Sequence, residues 1–121
     1  MIAQDVFMIA MSLMDETSSD GTFAGYDDDY KKKAWPILTV LQTELLPLSV
    51  SPVTITDENS TLLVDDRVGN TVLPYGLAAH LLLSGNVQSA SFFNDRYEEL
   101  KRRRKAVIAP ITDVYGVNET D

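Results

Sequence analysis

The segment from Leu73 to Lys105 constrains the fold more than any other part of the sequence. Its first part is short and apolar. Its second part repeats apolar residues at helical spacing, which places on one face Ala90, Phe93, Tyr97 and Leu100. Between the two parts, Gly85 suits a left-handed helix C-cap and Asn86 suits the N-cap of the next helix. The pattern predicts a helical hairpin, with one helix at 74–84 and an amphipathic helix at about 87–107.

Two further helices are predicted in the first half of the chain. Apolar residues recur at helical spacing through residues 2–14. A second helix is expected from about Tyr26 to Pro47, because Asp27, Asp28 and Asp29 each precede a lysine by four positions. Pro36 removes one backbone hydrogen bond and is expected to kink or split this helix.

Residues 48–70 show the least regular pattern. The β-branched run at 53–56 and the apolar run at 62–64 favour extended backbone, and a polar turn cluster lies between them. A small hairpin and a projecting loop both fit. We therefore predict a mainly α fold, a bundle of about four helices that ends in the helical hairpin, with a short irregular or β-like insertion between helices two and three. Residues 1–109 are expected to form a single domain, and residues 110–121 a polar, flexible tail.

The net charge of −8 is unevenly distributed. Residues 1–95 carry 13 acidic and 4 basic side chains, whereas residues 96–105 carry 2 acidic and 6 basic ones. Residues 106–121 carry 3 acidic and no basic side chains. An acidic chain argues against nonspecific nucleic-acid binding as the main function. The local basic run is compatible with one specific acidic partner.

No catalytic, metal-binding or cofactor-binding pattern is recognisable, and we expect no enzyme. The chain has no cysteine and one histidine, His80, which lies in an apolar stretch typical of a core or interface position. The acidic loops that begin at Asp15 and Asp57 lack the glycine and glutamate of a calcium loop. No phosphate-binding loop or dinucleotide glycine pattern is present.

The candidate interaction residues are the basic run and two aromatic side chains. The basic run is either a solvated helix end, helped by the helix dipole, or a docking strip for an acidic neighbour or for DNA. The two aromatic residues are candidates for an interface, although core packing is the favoured role of each. The complete set is Lys101, Arg102, Arg103, Arg104, Lys105, Trp35 and Phe92.

The hairpin begins with Pro-Tyr-Gly-Leu-Ala-Ala at Pro74, continues with leucines and a polar turn, and then has Phe-Phe-x-x-x-Tyr-Glu-Glu-Leu from Phe92. These features resemble the C-terminal half of phage and prophage head–tail connector proteins. The first half is compatible, with Asp29-Tyr30-Lys31 opening a helix and Glu44-Leu45-Leu46-Pro47 closing it. The resemblance implies a virion structural protein that forms a ring below the portal and links capsid to tail. It also implies as partners the chain itself, the portal and tail-completion proteins, and packaged DNA.

The resemblance places the protein in the host cytoplasm during assembly and then at the head–tail interface of the virion. No apolar run approaches the length that crosses a bilayer, and no signal-peptide pattern is present. Two other classes remain open. One is a small helical adaptor or regulator that binds a host or phage protein, and the other is a DNA-binding regulator, against which the net charge of −8 argues.

Overall fold

In a computed structural model, the chain folds as a small helical bundle, as predicted. The structure describes the backbone of residues 1–114 and the side chains of residues 1–104. A single 3-10 turn, Phe23–Gly25, precedes the second helix. The helices are α1 (Ala3–Leu13), α2 (Asp28–Leu45), α3 (Asp66–Thr71), α4 (Leu73–Leu82) and α5 (Val87–Val114).

Helix α4 lies at the centre of the bundle. It packs against α1, α2, α3 and α5, and almost all of its circumference is buried. A helix that is apolar all round can be accommodated only when other elements surround it. Gly76 is the point of closest approach, because a Cβ atom there would lie 2.8 Å from the Tyr97 ring and 2.9 Å from Leu41 Cδ1. The absence of a side chain at Gly76 thus lets α2 and α5 pack on α4 together.

A cluster of aromatic rings joins α1 to the start of α2. Phe7 of α1 is fully buried, with its ring centroid 5.4 Å from that of Phe23, 5.5 Å from Tyr26 and 5.7 Å from Trp35. The contacts with Phe23 and Tyr26 are edge-to-face, a favourable geometry for aromatic pairs. This cluster fixes the position of Trp35, one of the predicted interface residues.

The insertion between α2 and α4 is irregular, as predicted, and it packs back on the bundle. Its backbone accepts hydrogen bonds from the first N–H groups of α1, with Ser60 O 2.9 Å from Ala3 N and Glu58 O 2.8 Å from Gln4 N. These N–H groups have no partner inside their own helix, so the insertion completes the start of α1. One isolated bridge, between Ile2 and Thr61, is the only β pairing in residues 1–114.

Helix α2 holds the insertion from the other side. The buried Gln42 accepts a 2.7 Å hydrogen bond from Leu63 N through Oε1, and Thr39 Oγ1 accepts a 2.9 Å bond from Ile55 N. Ile55 itself is buried. Of the two alternatives that the sequence left open for residues 48–70, neither a hairpin nor a freely projecting loop is observed. The insertion also contains the six-residue helix α3, which the sequence analysis did not predict.

Helix α2 begins where its aspartates predict. Asp27 is the N-cap, and its side chain accepts a hydrogen bond from Asp29 N at 2.8 Å. Pro36 lies inside one continuous helix, so it does not split α2. Only one ion pair forms between the acidic and basic runs in this part of the chain, at 3.6 Å between Asp28 and Lys31, three rather than four positions apart.

The hairpin of α4 and α5 is present, with a different turn from the one predicted. Asn86 caps α5, since its Oδ1 accepts a 3.1 Å hydrogen bond from Ser89 N. Gly85 does not adopt the left-handed conformation that we expected of a C-cap. The turn closes instead through Leu82 O, which accepts bonds from Gly85 N at 3.1 Å and from Asn86 N at 2.8 Å.

Helix α5 also runs further than predicted, to Val114 rather than to about Val107. Residues 110–114 thus continue the helix, and residues 115–121 lie outside the described part of the chain. The flexible tail that we predicted over 110–121 falls largely on those residues and stays a prediction.

Tyr97 connects α5 to α2. Its ring is buried, and its hydroxyl donates a 3.1 Å hydrogen bond to Glu44 Oε1. Burial, and then the negative charge of Glu44, raise the pKa of Tyr97 well above its ordinary value. The folded protein therefore keeps this proton at a pH where the unfolded chain has released it.

Replacing Tyr97 by phenylalanine is expected to change how stability depends on alkaline pH. Loss of the hydrogen bond lowers the free energy of unfolding by about 1 kcal/mol at pH 8. Above pH 10 the unfolded state of the wild type binds fewer protons than the folded state, so its stability falls by up to about 1.4 kcal/mol per pH unit from this group. Tyr97→Phe lacks that decline. In urea unfolding, the higher free energy of unfolding of the wild type relative to Tyr97→Phe should disappear by pH 11. A difference that stays constant from pH 8 to pH 11 would contradict the buried hydrogen bond of Tyr97.

Candidate protein-interaction site

The predicted basic run lies on the part of α5 that extends past α4. Because Gly76 faces Tyr97 in this antiparallel pair, the first residue of α4, Leu73, lies opposite about Leu100. The 28 residues of α5 span about 42 Å, whereas the 10 residues of α4 span about 15 Å. The basic helix end, residues 101–105, therefore begins where α5 runs beyond its partner helix.

Two of its charges are neutralised within α5. Lys101 Nζ lies 3.3 Å from Glu98 Oε1 and 5.0 Å from the centre of the Tyr97 ring. Arg103 pairs with Glu99 at 2.7 Å. Glu98 thus binds the basic residue three positions later, and Glu99 binds the one four positions later.

Glu99 is shared by two arginines. Arg96, 3.1 Å away, and then Arg103 hold the pKa of the Glu99 carboxyl below its usual range. Arg96 also lies over the Tyr75 ring, with its guanidinium carbon 5.8 Å from the ring centre. These exposed ion pairs contribute little to stability, but they place an arginine against each carboxylate oxygen of Glu99.

Arg102 and Arg104 carry the remaining positive charge of the described run. Neither forms an ion pair with any side chain among residues 1–104, and Arg102 is exposed. Lys105 belongs to α5, and its side chain lies outside the described residues. The basic helix end therefore offers at least two cations that are not satisfied by the described part of its own chain.

The two predicted aromatic residues lie on different surfaces. Trp35 is half-buried in the aromatic cluster, in agreement with the core-packing role that was favoured for it. Phe92 is 65% exposed and touches Phe93 edge-to-face at 5.5 Å, so the core role favoured for Phe92 is wrong. The predicted site residues thus do not form one surface: the basic helix end and Phe92 belong to α5, and Trp35 belongs to α2.

A groove that the sequence did not reveal lies beside Trp35. We call it the α2 groove. It has a volume of about 520 Å³ and is lined by Asp28, Lys31, Lys32, Trp35, Pro36, Ile55 and Thr56. Trp35 and Pro36 are adjacent in sequence, but Ile55 and Thr56 follow about 20 positions later. The hydrogen bond from Ile55 N to Thr39 helps to hold these two residues against α2.

A smaller hollow lies between α4 and α5 at the hairpin turn. It measures about 260 Å³ and is mainly apolar, with the exposed Leu83 and Val87 at its rim. His80 lines it and is exposed, so His80 is not a core histidine.

Among the side chains of residues 1–104, no group of three histidine or acidic residues is placed to hold a metal ion. No helix within residues 1–114 is long and apolar enough to cross a membrane. In comparisons with known proteins, the chain matches no protein-family model, no curated protein and no solved structure.

Proposed function

We propose that this protein is a structural component of a tailed phage or prophage, a head–tail connector that assembles as a ring below the portal and links capsid to tail. Two lines of argument support the proposal. The hairpin sequence from Pro74 to Leu100 resembles such proteins. The fold has the form that the resemblance implies, a helical bundle with an irregular insertion between its second and third main helices.

The observation that carries the proposal is the separation of charge. Residues 1–95 have 9 more acidic than basic side chains, whereas residues 96–105 of α5 have 4 more basic than acidic ones. A ring needs two different, complementary surfaces on each subunit, because each copy contacts its neighbours head to tail. Opposite charge on two separate parts of one chain satisfies this requirement and directs one copy toward the next.

The basic helix end is the first of these surfaces in our proposal. Arg102 and Arg104 have no acidic partner among the described side chains, so their charge is available to a neighbour. Lys101 and Arg103 are already paired within α5. The portal, the tail-completion proteins and DNA in the channel are the other partners that this surface serves.

The double variant Arg102→Glu/Arg104→Glu is expected to fold normally and to lose assembly. It removes no ion pair among the described residues, so the free energy of unfolding should change by less than about 0.5 kcal/mol. Reversal of two charges at a contact should abolish ring formation on a portal protein, seen by light scattering and electron microscopy.

The matched control is Lys33→Glu/Arg67→Glu. It changes the net charge by the same amount at two exposed positions outside α5. Rings should still form with this control. A ring that forms on the portal with the basic helix end reversed would eliminate that surface as a subunit contact.

A second candidate is a small helical adaptor that binds one host or phage protein. The exposed Phe92 and the apolar hollow beside Leu83 favour it, because exposed aromatic and apolar groups are typical of a protein interface. Such an adaptor binds in a fixed ratio and forms no ring. Its interaction should be lost with Phe92→Ala, which leaves the basic helix end unchanged.

A further inference from the structure

The α2 groove combines an apolar part with a positively charged part. Trp35, Pro36 and Ile55 provide apolar surface, and Lys31 and Lys32 lie about one helical turn earlier along α2. Lys31 is held in place by Asp28 at 3.6 Å, by Ala24 O at 3.4 Å and by the Phe23 ring at 4.5 Å. Lys32 is exposed and forms no ion pair with any described side chain.

One wall of the groove is formed by Ile55 and Thr56, which belong to a stretch without regular secondary structure, residues 51–56, that has free backbone hydrogen-bonding groups. In residues 51–56, only the N–H groups of Ile55 and Thr56 bind another part of the described chain, through Thr39 Oγ1 and Ser60 Oγ. The N–H groups of Val53 and Thr54, and the carbonyl groups of 51–56, have no partner among the described residues. Val53 is also 46% exposed. Free backbone groups of this kind can form hydrogen bonds with the backbone of a segment bound in the groove.

The C-terminal segment of the chain has the pattern of a strand that matches this groove. In extended form, alternate side chains share one face, which places Tyr115 and Val117 beside Glu119 and Asp121. This face is apolar at one end and acidic at the other. Residues 106–121 carry three acidic side chains and no basic one.

The spacing of side chains along the C-terminal segment agrees with the spacing of side chains along the α2 groove. Two residues of a strand span about 7 Å, and the four residues from Lys32 to Pro36 span about 6 Å along α2. An extended segment with Val117 against Pro36 therefore brings Glu119 close to Lys32. Its backbone can at the same time pair with the free carbonyl groups of Ile55 and Thr56, which line the groove.

We propose that the α2 groove of one copy receives the extended, acidic C-terminal segment 115–121 of a second copy. The inference rests on the proposed function for the identity of this partner, and it names one contact between neighbouring subunits. A segment of one copy in a groove of the next is a head-to-tail contact, which generates a ring when the rotation closes.

The test uses the full chain, whose single tryptophan, Trp35, reports on the groove through its fluorescence. Mass by light scattering and Trp35 emission are followed together as the protein is diluted. We expect the emission to move to longer wavelength over the same concentrations at which the mass falls. A synthetic peptide of residues 112–121, in excess, should lower the mass while the emission stays at short wavelength.

Substitutions separate this contact from others. Three single substitutions are each expected to weaken self-association at least tenfold, namely Val117→Asp, Glu119→Lys and Lys32→Glu. Combining Lys32→Glu with Glu119→Lys restores opposite charges and should recover much of the loss. Lys33→Glu is the matched control, since Lys33 is equally exposed but does not line the groove.

Two results would overturn the inference. Normal self-association of Val117→Asp and Glu119→Lys would mean that copies meet through other surfaces, while a ring on the portal would leave the proposed function standing. A Trp35 emission that responds to these substitutions but not to dilution would mean that the segment occupies the groove of its own chain. Absence of any ring, alone or on the portal, would contradict the proposed function together with this contact.

Discussion

Phe7→Ala is expected to lower the free energy of unfolding by about 3–5 kcal/mol, the largest effect of any single substitution that we consider. Phe7 is fully buried and packs against Phe23, Tyr26 and Trp35, with ring centroids between 5.4 and 5.7 Å away. Removing the ring deletes these contacts and leaves a cavity that α1 and α2 can close only in part. Small domains have a total stability of about 5–15 kcal/mol, so the loss should be evident.

Urea unfolding followed by far-ultraviolet circular dichroism measures this effect without relying on Trp35. Phe92→Ala removes the same side chain from a 65% exposed position and serves as the control, with an expected change below about 0.5 kcal/mol. If Phe7→Ala does not fold, Phe7→Leu keeps an apolar side chain in place and should cost about 1.5 kcal/mol. Equal stability of Phe7→Ala and Phe92→Ala would contradict the position of the aromatic cluster.

Gly76→Ala is expected to destabilise the fold by about 1–3 kcal/mol, although it adds only one methyl group. A Cβ atom at Gly76 would lie 2.8 Å and 2.9 Å from two carbons of the Tyr97 ring and 2.9 Å from Leu41 Cδ1. The Tyr97 ring cannot easily move, because its hydroxyl is bound to Glu44 and its ring is buried. The added methyl group must therefore push α4 away from α2 or α5.

Gly85→Ala is the matched control for this substitution. Gly85 has no heavy atom within 4 Å of its added Cβ and does not adopt a left-handed conformation. Alanine there restricts the unfolded chain and should stabilise the protein by about 0.4–1 kcal/mol. We expect thermal or urea unfolding to show a lower free energy of unfolding for Gly76→Ala and a higher one for Gly85→Ala. A stabilising Gly76→Ala would contradict the close approach of α4 and α5.

Periodicity predicted those helices whose buried apolar residues lie on one face. The stripe through residues 2–14 and the face of Phe93 and Tyr97 both predicted the observed helices, because one-sided burial imposes a 3.6-residue repeat. Asn86 was recognisable as the start of α5 because capping is a local interaction, and the run of aspartates marked the start of α2. The helical bundle and its terminal hairpin could therefore be predicted from sequence.

Features that depend on contacts distant in sequence could not be predicted. The insertion is ordered by Gln42 and Thr39 of α2 and by the N-terminal N–H groups of α1, none of which its own sequence reveals. Helix α3 has a local signal, because Asp65 accepts a hydrogen bond from Val68 N, but six residues are too few for a periodic pattern. His80 lies in an apolar sequence and yet at the surface, because α4 is covered on all sides except there.

The same distinction applies to the candidate site. The basic helix end is contiguous in sequence and was recognisable at once, whereas its internal pairing, with Lys101 rather than Arg102 bound to Glu98, required the structure. The α2 groove joins residues of α2 to Ile55 and Thr56 of the insertion. A surface assembled from two separate segments leaves no pattern in either of them.

The absolute mass of the protein in solution tests the central claim most directly. It is measured by light scattering after size-exclusion chromatography, at low and moderate salt and with a portal protein added. We predict a ring-sized species, or a monomer that becomes a ring on the portal, and weaker assembly as salt screens the charged contacts. A monomer or dimer that ignores the portal at every salt concentration would contradict the connector proposal and favour the adaptor.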